Sequence, residues 1–174
     1  MTVYEELARL GSATVHEAAA RAQVVDCDLV QVVPDSRAAG PARTVRCGQG
    51  DNLMVHAAIA EAEPGEVLVL TMPEPAPVAL VGELLATQAR GRGAAALLVD
   101  AAVRDVEELQ QLGLPTWARW VLDAVGVVVV AAARVEEVLA AGRARAEKEN
   151  AKRALLLAGE LSYDLDGLRR RVEG

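Results

Sequence analysis

The sequence predicts an α/β domain with at least partly parallel strand pairing. Helix-period and strand-period segments alternate along the chain, and the strand-like runs are short and apolar. The chain has 174 residues, 52% of them hydrophobic and 25% charged, which suits one globular domain with a real core and excludes disorder. There is no internal repeat.

Taken in order, "TVHEAAARAQ" (14–23) starts a helix, because Thr14 and Glu17 have capping-box spacing. "DLVQVV" (28–33) and "ARTVRC" (42–47) read as strands joined by the turn-like "PDSRAAGP". "DNLMVHAAIAEA" (51–62) is a helix with Asp51 as N-cap, stopped by Pro64 and Gly65. "EVLVLT" (66–71) is a β-branched strand, and the proline-rich loop "MPEPAPV" follows it. "VGELLATQARGRG" (81–93) is a helix ending at Gly91 and Gly93. "AAALLVD" (94–100) is a short strand of the kind buried on both faces. "DVEELQQLG" (105–113) is a helix with Val106, Leu109 and Leu112 inward, and "VGVVVV" (125–130) is a last strand. Residues 134–160 form one long helix, which completes a domain over 1–160, and 161–174 read as a polar C-terminal tail.

Composition removes several function classes. No apolar run approaches the ~20 residues that span a bilayer. "MTVYEELARL" lacks the basic start of a signal peptide, so a cytoplasmic protein without a membrane partner is expected. A net charge of −7 and four aromatic residues, Tyr4, Trp117, Trp120 and Tyr163, offer no nucleic-acid surface. Cys27 and Cys47 are isolated thiols without metal or redox spacing, and His16 and His56 make no zinc pair. "GQG" (48–50) reads as a turn rather than a dinucleotide loop. Of 18 basic side chains only Lys148 and Lys152 are lysines. Their i, i+4 spacing reads as a solvated helix face, so no pocket lysine is expected for Schiff-base chemistry.

Two features mark a candidate site. A helix opening on Gly82-Glu83-Leu84-Leu85 presents unpaired N–H groups to an anion, and the glycine permits close approach. The next strand ends near Asp100 and delivers Arg104 and Asp105 where α/β sheets collect ligands. An alternative without chemistry stands beside this: Asp105 and Glu108 have the spacing of a helix cap worth about 1 kcal/mol. That alternative leaves Arg104 unexplained.

"TVHEA", "GPARTVRC", "GDNLMVHAAIAEAEPGEVLVL", "GELLATQARGRGAAALLVDAAVRDVEEL", "LGLPTWAR" and "RVEEVLAAGRARAEKE" together resemble, in order, the RraA-like family. That family includes class II 4-hydroxy-4-methyl-2-oxoglutarate/4-carboxy-4-hydroxy-2-oxoadipate aldolases and regulators of ribonuclease E activity. The resemblance implies a swivelling β/β/α-type fold, usually a homotrimer with sites between subunits. It implies Mg²⁺ or Mn²⁺ near Asp105, and a substrate carboxylate on the N–H groups from Gly82 through Glu83 and Leu84 to Leu85. Arg104 would stabilise an enolate oxygen, with Glu108 in support. The reaction implied is lyase cleavage of a small 2-oxo acid to pyruvate, with oxaloacetate decarboxylation related. A non-catalytic regulatory protein, or a degenerate paralogue acting through protein partners, is the other branch. Relatives commonly carry glycine at the position of Ala101. They also carry extra strands between "LPTWARW" and "VLDAVGVVVV", so this chain's sheet is expected to be shortened.

Overall fold

The computed structural model describes residues 1–19, 25, 27–122 and 135–173. Two short helices, α1 (Val3–Leu10) and α2 (Ser12–Ala18), lead into β1 (Val30–Gln31) and β2 (Ala42–Arg46). Then come α3 (Leu53–Ala60), β3 (Val67–Thr71), β4 (Ala79–Val81), α4 (Glu83–Gly91) and β5 (Ala96–Val103). The chain continues through α5 (Val106–Leu112), β6 (Thr116–Val121), α6 (Val135–Leu157), α7 (Ser162–Leu165) and α8 (Arg169–Glu173).

The six strands form one sheet in the order β1-β6-β5-β3-β2, with β4 also paired to β5. All neighbours run parallel except β1 against β6. The fold is therefore the expected mixed α/β domain. Its central strand, β5, is buried nearly throughout, as a parallel strand covered on both faces should be. Its first half pairs with β3, from Val67↔Ala96 to Leu70↔Val99, and its second half with β4, from Ala79↔Ala102 to Val81↔Val103. Val55 and Ile59 of α3 pack with Leu68, Leu70, Leu97 and Val99 in the main core. Truncating Leu97 to Ala at its fully buried position should cost about 2–5 kcal/mol.

Several elements differ from the sequence reading. The strand expected over 28–33 is confined to Val30–Gln31, the two residues that pair in register with Ala118 and Trp117 of β6, although the Val32 N–H still donates to the Thr116 carbonyl at 2.9 Å. The capping box lies at Thr2 and Glu5, where both reciprocal bonds form, and α2 starts at Ser12 without a side-chain cap. Asp51 is not the N-cap of α3: that position falls on Asn52, which makes no side-chain cap bond, while Asp51 one residue earlier accepts from the Leu53 N–H at 2.8 Å. β5 does not stop at Asp100 but runs to Val103, because Arg119 on β6 neutralises Asp100 at 2.6 Å. β4 and β6 were not expected at all. The expected strand at 125–130 lies outside the described residues.

Candidate active site

The pairing of Val81 with Val103 sets the site. Both strands end at one level, so the residues that follow, Gly82 and Arg104, emerge side by side at the carboxyl edge of the sheet. The Arg104 N–H donates to the Val81 carbonyl at 3.1 Å, extending the ladder by one step. One residue later the relation becomes side chain to backbone. Asp105 Oδ2 accepts from the Glu83 N–H at 3.0 Å and lies 3.6 Å from Arg104 Nε.

Gly82 is required by contact rather than by backbone angle, since its φ of −132° suits any residue. A Cβ there would overlap the Asp105 carboxylate and sit 3.0 and 3.1 Å from Arg104 Nε and Cγ. Asp105 itself holds a left-handed backbone, φ 60° and ψ 49°, which aspartate tolerates better than most residues but at a cost. That backbone turns its carboxylate back toward α4. Asp105 occupies the N-cap position of α5 yet makes no side-chain cap bond there. The capping explanation is thus corrected: Asp105 satisfies the first amide of α4, 22 residues earlier. Glu108 is exposed on α5.

These groups open on a cavity of about 460 Å³ lined by Gly82, Leu84, Leu85, Arg104 and Asp105. Leu84 and Leu85 lie in the first turn of α4, where backbone N–H groups have no intrahelical acceptor. The Glu83 side chain points elsewhere, accepting from Thr87 Oγ1 at 3.1 Å and pairing with Arg153 of α6 at 3.1 Å. The sequence-predicted residues Gly82, Leu84, Leu85, Arg104 and Asp105 are therefore brought together, Glu83 joins through its backbone, and Glu108 lies apart.

The opposite wall was not anticipated. It is built by His56 of α3, Lys148 and Lys152 of α6, Ser162 of α7 and Asp166. Lys148 and Lys152 both border the cavity, against the expectation of no pocket lysine, although Lys148 stays exposed and only Lys152 is half-buried. Lys152 forms an ion pair with Asp166. Ser162, in a stretch read as polar tail, is buried, and its N–H and Oγ both contact Gln88 Oε1, at 2.8 and 3.0 Å. His56 Nδ1 lies 2.5 Å from Ser162 Oγ. Burial, reinforced by the nearby Lys152 ammonium, holds the His56 imidazole below its ordinary value. A lone histidine in "LMVHAAIA" carries no sequence signal for this role, and a serine seventy-four residues beyond its glutamine partner carries none either.

Among the described residues no group of three or more His, Cys, Asp or Glu is placed to share a metal ion. Asp105 offers one carboxylate whose second oxygen has no partner among the described residues. One carboxylate beside an open cavity fits Mg²⁺, which keeps several waters and takes one or two protein oxygens.

The geometry defines a small α/β protein with an open crevice at the carboxyl edge of its sheet. A family model described as "RraA-like: Aldolase/RraA" matches residues 12–145, and the chain belongs to that family. A curated protein of Halalkalibacterium halodurans named "Putative 4-hydroxy-4-methyl-2-oxoglutarate aldolase" is 39% identical over 80 residues, 46% of this chain and 38% of that protein. The solved structure of the RNA-processing inhibitor RraA from Thermus thermophilis is 28% identical with a TM-score of 0.57, covering 63% of this chain and 66% of that one. A structure titled S-adenosylmethionine: 2-dimethylmenaquinone methyltransferase, from Geobacillus kaustophilus HTA426, is 27% identical with a TM-score of 0.58, covering 63% and 68%. The matched region thus spans well under half of the curated relative and about two thirds of the solved ones. No helix among the described residues is long and apolar enough to cross a membrane.

Proposed function

We propose that this chain is a divalent-metal-dependent lyase acting on a small 2-oxo acid through an enolate. It would release pyruvate by retro-aldol cleavage or decarboxylate oxaloacetate. The observation that carries this reading is the register Val81↔Val103, which sets Gly82, Arg104 and Asp105 together at the mouth of one cavity. The N–H groups of Leu84 and Leu85 receive the substrate carboxylate, the Glu83 N–H being already spent on Asp105. The Arg104 guanidinium donates to the oxygen on which negative charge develops, where a preorganised donor is worth most. Asp105 would hold Mg²⁺ or Mn²⁺ through its free oxygen, and the ion when bound supplies Lewis-acid polarisation at that same oxygen. The working form is a cytoplasmic homotrimer, which light scattering during gel filtration would check.

The second reading, a non-catalytic regulatory protein, is favoured by the likeness to the Thermus structure, whose title calls it an RNA-processing inhibitor. Pyruvate release decides between them. The protein is incubated with oxaloacetate or 4-hydroxy-4-methyl-2-oxoglutarate, with Mg²⁺, with Mn²⁺ and with chelator. Metal-dependent release that is lost in Arg104→Ala and Asp105→Ala supports the lyase. Release no greater than metal alone, from a folded protein, refutes it in favour of binding.

A further inference from the structure

We propose that His56 is the proton-transfer group of this site, held in a single tautomer by Ser162 and Gln88. This rests on the lyase reading above and assigns the proton traffic that reading leaves open.

The hydrogen-bond chain fixes the protons. The Ser162 N–H can only donate, so the Gln88 atom that faces it at 2.8 Å is the amide oxygen. The Gln88 amide nitrogen donates to the Leu84 carbonyl at 3.1 Å, which locks this orientation. The Ser162 hydroxyl contacts the same Gln88 oxygen at 3.0 Å and must spend its proton there. Its oxygen is then an acceptor toward His56 Nδ1 at 2.5 Å, so Nδ1 carries the imidazole hydrogen. Nε2 is left with its lone pair, and the ring lines the cavity that Arg104 and Asp105 also line.

Charged groups around the ring come from every side. Lys152, Lys148 and Glu149 project from α6, Asp166 follows α7, Asp51 precedes α3, and Asp105 lies on the facing wall. Burial and the Lys152 ammonium outweigh the acids and keep the imidazole neutral at physiological pH.

The chemistry balances. In the retro-aldol step Nε2 takes the proton of the substrate C4 hydroxyl. The C4–O bond becomes a carbonyl, the C3–C4 bond breaks, and its electron pair forms the pyruvate enolate at Arg104. The proton on Nε2 then returns to C3, giving pyruvate with no net proton gained or lost. Oxaloacetate differs, because loss of CO₂ leaves the same enolate without any hydroxyl proton passing to Nε2, and C3 then takes its proton from solvent water. Retro-aldol cleavage therefore depends on His56 and decarboxylation far less. Ser162 and Gln88 act as positioning residues through the imidazole.

The test compares both reactions in His56→Asn, whose amide nitrogen keeps a donor to Ser162 while the base is lost. The expected result is a fall of about 100-fold or more in kcat for retro-aldol cleavage, with decarboxylation within about threefold of wild type. Ser162→Ala keeps the backbone bond to Gln88 and removes the acceptor of Nδ1–H. Nitrogen NMR should show Nδ1–H in the wild type and Nε2–H in Ser162→Ala, together with a comparable retro-aldol loss. Retained retro-aldol activity in His56→Asn, a parallel fall in both reactions, or Nε2–H in the wild type overturns the proposal. A wild type that cleaves neither substrate refutes the lyase reading and this one with it. A wild type active on both, with His56→Asn unaffected, refutes this one alone.

Discussion

Replacing Gly82 by alanine tests the close approach on which the site is built. The added methyl would overlap the Asp105 carboxylate and press on Arg104 Nε and Cγ at 3.0 and 3.1 Å. The carboxylate must move away, and its bond to the Glu83 N–H, 3.0 Å long, lengthens or breaks. A hydrogen bond to a charged group contributes about 1.5–3 kcal/mol, and the partial exposure of the Asp105 carboxylate places the loss near the lower end. Overpacking adds about 1 kcal/mol in a site that can partly give way toward solvent. The sum, about 2–3 kcal/mol, corresponds to a fall of roughly 4–12 °C in Tm for a domain of this size. Displacement of Arg104 and Asp105 by even about 1 Å should lower metal-dependent pyruvate release about 100-fold. Gly91→Ala supplies the control, since a Cβ at that helical position meets nothing within 4 Å and should raise stability by about 0.5–1 kcal/mol. Thermal melts followed by circular dichroism, with the pyruvate assay on the same samples, read both effects. A Gly82→Ala protein that melts and turns over like wild type refutes the packing argument.

Three further outcomes follow from the same geometry. Asp105→Asn keeps an oxygen for the Glu83 N–H and a residue that tolerates the left-handed backbone, so Tm should change by less than about 4 °C while metal-dependent activity falls about 100-fold. Glu66 is held below its ordinary value, first by its bond from Arg43 and then by the Glu63 N–H. Its contribution to stability is therefore full above the unfolded carboxylate range and is lost as pH falls through the lower folded value. Denaturant melts from pH 6 down to pH 3 should accordingly show a shallower acid loss in Glu66→Gln than in wild type. Burial pushes the Cys47 thiol up to about 11, so iodoacetamide at pH 8 should leave Cys47 unmodified in the folded protein and label it after unfolding, as peptide mass spectrometry would show.

The parts of the fold legible in sequence are those where burial and hydrophobicity coincide. β3 and the first half of β5 are apolar runs in a parallel sheet, and their sequences say so. β6 hides because its inward residues are Thr116 and Ala118, while Trp117, Arg119 and Trp120 are only partly covered; the usual polarity of the pattern is inverted. β4 hides because three strand residues follow directly on the proline-rich loop. At the site, Gly82, Arg104 and Asp105 could be nominated because each lies beside an element end, where ligand chemistry is expected. Their mutual geometry could not be read, because the Val81↔Val103 register is a long-range choice of the sheet. The opposite wall was illegible for a related reason. Lys148 and Lys152 have the spacing of a solvated helix face, and only the packing of α6 against α4, where Arg153 pairs with Glu83, brings them to the border of the cavity.

The bond from the Glu83 amide to Asp105 has a consequence of its own. A backbone hydrogen at the start of one helix is protected from solvent by a carboxylate at the start of another. Whatever draws the Asp105 Oδ2 atom away leaves that hydrogen open to exchange. The Glu83 amide thus serves as a built-in gauge of the carboxylate: its exchange rate reports whether Asp105 holds its place, with no turnover required.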